Sequence, residues 1–127
     1  MIGAEQLQVG IYNQLVNEGL QVYPYVPDDV KYPFVALGEE YLLDSSTKNK
    51  RHFEIFHVIH SYSKSKNKKQ INELNSKVIN ALDKPFPLGD GFYISNVKLD
   101  HMQTMLDPNA VSVFHGVLRF KFEISKG

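Results

Sequence analysis

The sequence predicts an α+β fold: a single, mostly antiparallel β-sheet with two α-helices packed on one face, in the order α-β-β-β-α-β-β. Two segments, one near the start and one mid-chain, carry apolar residues at helical spacing. Four longer runs rich in aromatic and β-branched residues fall into two adjacent pairs separated by polar turn sequences. The last run, "SVFHGVLRFKFEI", alternates with a period of two. Phe114, Leu118, Phe120, Phe122 and Ile124 share one face, and Val113, His115, Val117, Arg119, Lys121 and Glu123 share the other.

The first helix is predicted over residues 3–18, with Leu7, Ile11, Leu15 and Val16 as its apolar stripe and Gly19 as its stop. "LQVYPYVPDD" holds two prolines within four residues, so it reads as an extended edge or a connector. Residues 32–44, "YPFVALGEEYLLD", read as a strand entered through Pro33. A polar tip, "SSTKNK", joins it to "RHFEIFHVIHSYS", whose two faces are both largely apolar. Phe53, Ile55 and Ile59 lie on one face and Phe56, Val58 and Tyr62 on the other, which marks a central strand.

The second helix lies in "KSKNKKQINELNSKVINALDK" and begins near Asn67, since the helix dipole disfavours the lysines before it. Ile71, Leu74, Val78, Ile79 and Leu82 form its buried stripe. "PFPLGDG" turns the chain into a strand over residues 92–106, and "DPNA" turns it again into the last strand. Residues 1–127 read as one domain. If the helices cover the face bearing the phenylalanines, the face bearing His115 and Arg119 needs water or a partner.

Composition excludes several functions. The chain has 127 residues and no cysteine, so disulfides, thiolate metal sites and a cysteine nucleophile are ruled out. No apolar run approaches the roughly 18 residues of a membrane span. The first residues lack the basic start of a signal peptide, so a soluble protein made in the cytosol is expected, with no membrane partner. Lys+Arg and Asp+Glu are both 14, and zero net charge weakens a nucleic-acid reading. The charges are unevenly placed. Residues 1–44 hold seven acids and Lys31, about −6, and the remainder holds seven acids and thirteen bases, about +6. Such a chain can present faces of opposite sign to copies of itself.

Catalytic motifs are lacking. His57 and His60 in "HVIH" point to opposite faces of a strand, and only His57 with His115 could meet across strands. A small ligand-binding or enzymatic domain would rest on that pair. The serines at 61, 63 and 65 read as loop composition. Asp28/Asp29 and Glu39/Glu40 are adjacent, so their carboxylates diverge and make no acid/base pair. "HGVLRFKFEI" echoes the aromatic and basic strand that stacks on RNA bases, which leaves a small nucleic-acid-binding α+β domain as the alternative function.

The order and spacing of several segments resemble one family. They are "VYPYVPDDVKYPFVALGEE", "STKNKRHFEIFHVIHSYSKSKNKKQINELNSKVINAL" and "LDHMQTMLDPNAVSVFHGVLRFKFE". Together they resemble the small tail-completion proteins of long-tailed bacteriophages, also called tail terminators or tail-to-head joining proteins. The resemblance implies a structural virion protein made in the bacterial cytoplasm. It implies a ring, usually hexameric, at the head-proximal end of the tail tube. That ring stops tube growth and docks onto the head-connector or stopper protein. Genomic DNA passes through its lumen without sequence-specific binding. No catalytic residue, cofactor or metal is expected.

Within such a ring, the hairpin tip formed by Asp44, Ser45, Ser46, Thr47, Lys48, Asn49, Lys50 and Arg51 is the expected contact to tube or connector. Lys48, Lys50 and Arg51 are expected near the lumen or a neighbour. His115, Arg119 and Lys121 line the face expected to act as interface or lumen wall, and Glu39 and Glu40 are expected to meet the basic part of the next copy.

Overall fold

The computed structural model describes residues 3–48 and 51–127. The element order is α1 (Ala4–Asn17), β1 (Val22–Tyr23), β2 (Phe34–Asp44), β3 (His52–Lys64), α2 (Lys69–Leu82), β4 (Phe92–Leu106) and β5 (Val113–Lys126). One sheet has the strand order β1-β2-β3-β5-β4. The predicted architecture and order hold. The sheet is mixed rather than purely antiparallel, because β1 pairs parallel to β2 through Val22↔Val35 and Tyr23↔Ala36.

Helix α1 ends as the sequence predicts. Gly19 takes φ +86°, its N–H donates to the Val16 carbonyl at 2.9 Å, and the Leu20 N–H donates to the Leu15 carbonyl at 3.2 Å. This αL closure satisfies carbonyls the helix leaves open. Helix α2 starts at Lys69, two residues later than expected. Asn67 remains in the turn, where its Oδ1 accepts the Lys69 N–H at 3.0 Å.

The core lies between the helices and one face of the sheet. Leu7, Ile11 and Leu15 of α1, and Ile71, Val78 and Leu82 of α2, are fully buried against Phe53, Ile55, Ile59, Leu118, Phe120, Phe122 and Ile124. The period-two pattern of the last strand therefore points its phenylalanines at the helices. Phe114, Phe120 and Phe122 are 7%, 0% and 0% exposed. None of these rings is free to stack on a base, which removes the footing of the nucleic-acid alternative.

The core also holds polar residues. Ser61, Ser63 and Asn75 are buried. Ser61 and Ser63 belong to β3, not to a loop, because that strand runs on to Lys64. The Ser61 hydroxyl donates to Asn75 Oδ1 at 2.5 Å, and Asn75 Nδ2 donates to Thr104 Oγ1 at 3.3 Å, tying β3, α2 and β4 together. Gly116 of β5 lies beneath this chain. A Cβ there would sit 2.7 Å from Asn75 Oδ1, so only glycine leaves the space the network occupies.

Candidate functional site

The helix-free face of the sheet is built by alternation. Strand registers Phe34↔Tyr62, Ala36↔His60 and Tyr62↔His115 put Phe34, His60, Tyr62 and His115 on that side together. The two adjacent glutamates alternate faces, and a register shift between Leu37 and Glu40 decides which takes which. Glu39 meets His60 on the open side, and Glu40 meets His57 on the helix side.

One end of this face is aromatic. Tyr62 stacks on Phe34 at 4.8 Å and on His115 at 4.4 Å, and Tyr32 and Tyr23 each pack against Phe34 at 5.3 Å. Farther along, Tyr41 stacks on Phe56 at 4.7 Å, with the Arg119 guanidinium 5.7 Å from the Phe56 ring centre. The face expected to be polar is thus paved with rings over much of its area. Val113, expected on its polar side, is buried.

A hydrogen-bonded chain crosses the face. His60 Nε2 lies 3.0 Å from Glu39 Oε1, and His60 Nδ1 lies 2.8 Å from His115 Nε2. One arrangement with both rings neutral satisfies both contacts: His115 Nε2–H donates to His60 Nδ1, and His60 Nε2–H donates to the carboxylate. Burial, then the neighbouring His60, pulls the His115 pKa below its usual value. The backbone hydrogen bond at Glu39, then the bond from His60, lowers the Glu39 pKa.

The expected meeting of His57 with His115 does not occur. His57 is on the helix side, 2% exposed, and pairs in register with Phe120. The β3–β5 register decides this: His60, three residues on, takes the place beside His115. Burial lowers the His57 pKa, and its Nε2 stands 3.6 Å from Glu40, beyond a good hydrogen bond. Burial also raises the Glu40 pKa. Among the described residues, no three histidine or acidic side chains converge on a metal position.

Arg119 and Lys121 hold partners within the sheet. Arg119 donates through Nε to Asp100 Oδ2 at 2.7 Å, and its Nη2 lies 2.5 Å from the same oxygen. Lys121 Nζ lies 3.0 Å from Glu54. The Glu54 hydrogen bond and charge raise the Lys121 pKa. Asn96 Nδ2 donates to Glu123 at 2.8 Å and lowers its pKa. The charges of β5 are thus matched across strands, a pairing invisible without the register.

The β2–β3 tip lies at the far end of the sheet from the aromatic cluster. Asp44, Ser45, Thr47, Lys48 and Arg51 are exposed, and Ser46 is half-buried. Asp44 Oδ1 accepts the Ser46 N–H at 2.8 Å, and the Ser46 hydroxyl, then that N–H, holds the Asp44 pKa down. Ser46 Oγ accepts the His52 N–H at 3.1 Å. Asn49 and Lys50 lie outside the described residues. The expected contact residues therefore form no single cluster. They are spread from the tip, across Lys121 and Arg119, to His115 and Glu39.

The arrangement offers one sheet face left open by the helices, tiled with rings and internally matched charges. Among the described residues, no helix is long and apolar enough to cross a membrane. No curated protein sequence matches the chain significantly. A chain from the "Virion of native gene transfer agent (GTA) particle" matches in structure with a TM-score of 0.81 at 21% sequence identity, covering 96% of each chain. That likeness establishes a shared fold. The family model described as tail completion protein gp17 matches residues 12–125, most of the chain from within α1 to near the end of β5. The chain belongs to the tail completion protein family and is a structural protein of the bacteriophage tail.

Proposed function

We propose that the protein assembles as a ring, with six copies as the expected number, at the head-proximal end of the tail tube. There it terminates tube growth and joins the tail to the head-connector protein, while DNA passes through the lumen without sequence-specific contacts. The observation that carries the reading is a sheet covered by helices on one face only, in a chain of the tail completion family. An open face of stacked rings and matched charges can lie against another protein surface with few unpaired charges to desolvate.

In this reading the tip from Asp44 to Arg51 reaches the tube or the connector, and the stretch bearing His115, Arg119 and Lys121 forms an interface or lumen wall. Glu39 and Glu40 of one copy face basic residues of the next. The protein has a structural role in the virion after synthesis in the host cytoplasm. The test is polymerisation of the cognate tube protein with and without this chain, with tube lengths measured by electron microscopy. The reading expects tubes capped at one end that stop elongating. Tubes of unchanged length and uncapped ends would overturn it.

A further inference from the structure

We propose that two opposite flanks of the molecule bind each other head to tail: an acidic, apolar flank on one copy receives a basic, apolar flank on a second copy of this chain. The proposal rests on the ring reading above and names its lateral surfaces.

The first flank is α1 with the β1 loop. Val9, Tyr12 and Val16 recur at helical spacing along one stripe of α1 yet stand 55%, 37% and 43% exposed. They are separate from the buried stripe of Leu7, Ile11 and Leu15, and Val16, expected in that stripe, lies outside it. A groove of about 370 Å³ runs between that face and Pro24 and Leu37. A second groove, about 340 Å³, runs beside Pro24 and Tyr25. Sharing Pro24, they form one continuous apolar surface, which isolated exposed residues would not. Glu5 lines it, and Glu18, Asp28 and Asp29 are exposed on the same elements, with Lys31 the base in that loop.

The second flank is where β4 ends and β5 begins. Met102 and Leu106 of edge strand β4 and Val111 of the following turn are 46%, 61% and 82% exposed. The lysine loop is fixed beside them, because the Ser65 N–H donates to the Ser112 carbonyl at 3.0 Å and Lys64 pairs in register with Val113. Lys64, Lys66 and Lys68 are all exposed there, and Asp107 is the acid in that turn.

Topology sets the strands of these flanks at opposite edges of the sheet, with α1 crossing the helix-covered face from beside Phe92 of β4 toward β1. β1 and β4 are the outermost strands, four steps apart, or roughly 19 Å at about 4.8 Å per step. They also lie at the same end of the sheet, since Val22↔Val35, Phe34↔Tyr62, Lys64↔Val113 and Leu106↔Phe114 follow one another across it. A contact between them is heterologous, so it repeats in one direction from copy to copy and closes into a ring when the rotation per copy fits. The charges select this pairing. Two acidic flanks face to face would repel, and so would two basic ones.

The chain lacks cysteine, so single introduced cysteines report contacts without background. Val16→Cys and Leu106→Cys variants are treated with a short bis-maleimide, separately and mixed, and the same samples are imaged for rings. The proposal expects cross-linked dimers in the mixture at a yield at least tenfold above either variant alone. Asp28→Lys with Asp29→Lys on the Val16→Cys chain should remove most of that yield. Lys66→Glu with Lys68→Glu on the Leu106→Cys chain should then restore it. Equal yields in separate and mixed samples, or no effect of charge reversal, would overturn the proposal. Rings without the mixed cross-link would sink these flanks and leave the ring reading standing. A mixed cross-link with only open chains would support the flanks and sink the ring.

Discussion

Asn75 is the polar member of an otherwise apolar helix stripe, and its burial decides the packing around it. It accepts from Ser61 and donates to Thr104 directly over Gly116. Asn75→Ala strands the buried Ser61 hydroxyl and should destabilise the protein by about 2 kcal/mol, measured by urea unfolding. Gly116→Ala forces a methyl into the same space and should cost about 1–3 kcal/mol by overpacking. Of the residues the sequence marks as buried, Ile71, Leu74, Val78 and Leu82 are buried and Ile79 is half-buried, whereas Asn75 breaks the rule that polar residues face out. Its burial was illegible because its partners come from β3 and β4, which only the fold brings together.

The histidines illustrate the same limit, and they carry a pH prediction. Strand parity separates His57 from His60 in the sequence itself, but which of them faces His115 depends on a register that residue types do not encode. The folded-state pKa values of His57 and His115 both lie below the usual 6.5. In that window the unfolded chain binds more protons than the folded one, so stability is full above pH 6.5 and falls on acidification toward the folded pKa values. Glu40, with a raised pKa, opposes this near pH 4.5 and above, while Glu39 and Glu123, with lowered pKa values, add a loss below 4.5. Thermal midpoints should drop between pH 7.5 and 5.5, and His57→Gln should flatten that slope. A flat wild-type profile would contradict the burial argument.

Among the elements, those with strong local signals were readable and those defined by partners were not. Helix α1 was bounded by Gly19, which has no side-chain neighbour within 4 Å of a built Cβ but takes φ +86°. Gly19→Ala should therefore cost about 1 kcal/mol through backbone strain alone, leaving the core intact by near-ultraviolet circular dichroism. The alternation of β5 set its buried face correctly. Strand β1, readable from its prolines as an extended edge, is an edge strand, but two residues carry no periodicity from which to read its parallel pairing. The shift between Leu37 and Glu40 in β2 likewise left no mark, apart from Gly38, where a Cβ would sit 2.6 Å from the His60 ring.

For the molecule as a whole, the sequence split of about −6 and +6 does not survive as two simple halves. Lys121 pairs with Glu54 and Arg119 with Asp100 within the later part, and Glu39 is held by His60. Exposed acids remain at the α1–β1 flank, Glu18, Asp28 and Asp29, and exposed lysines at the β4–β5 flank, Lys64, Lys66 and Lys68. Glu39→Lys with Glu40→Lys should weaken ring formation about tenfold or less, a smaller effect than reversing Asp28 and Asp29, because Glu39 is already engaged within its own sheet. Sedimentation of the variants across a concentration series measures the difference. The central claim is that this sheet exists to lean on copies of itself. Its most direct measurement is the native mass of the purified protein, alone and with cognate tube ends. The account predicts one discrete closed oligomer, formed alone or on the tube. Monomer at every concentration, with and without tube, would contradict it.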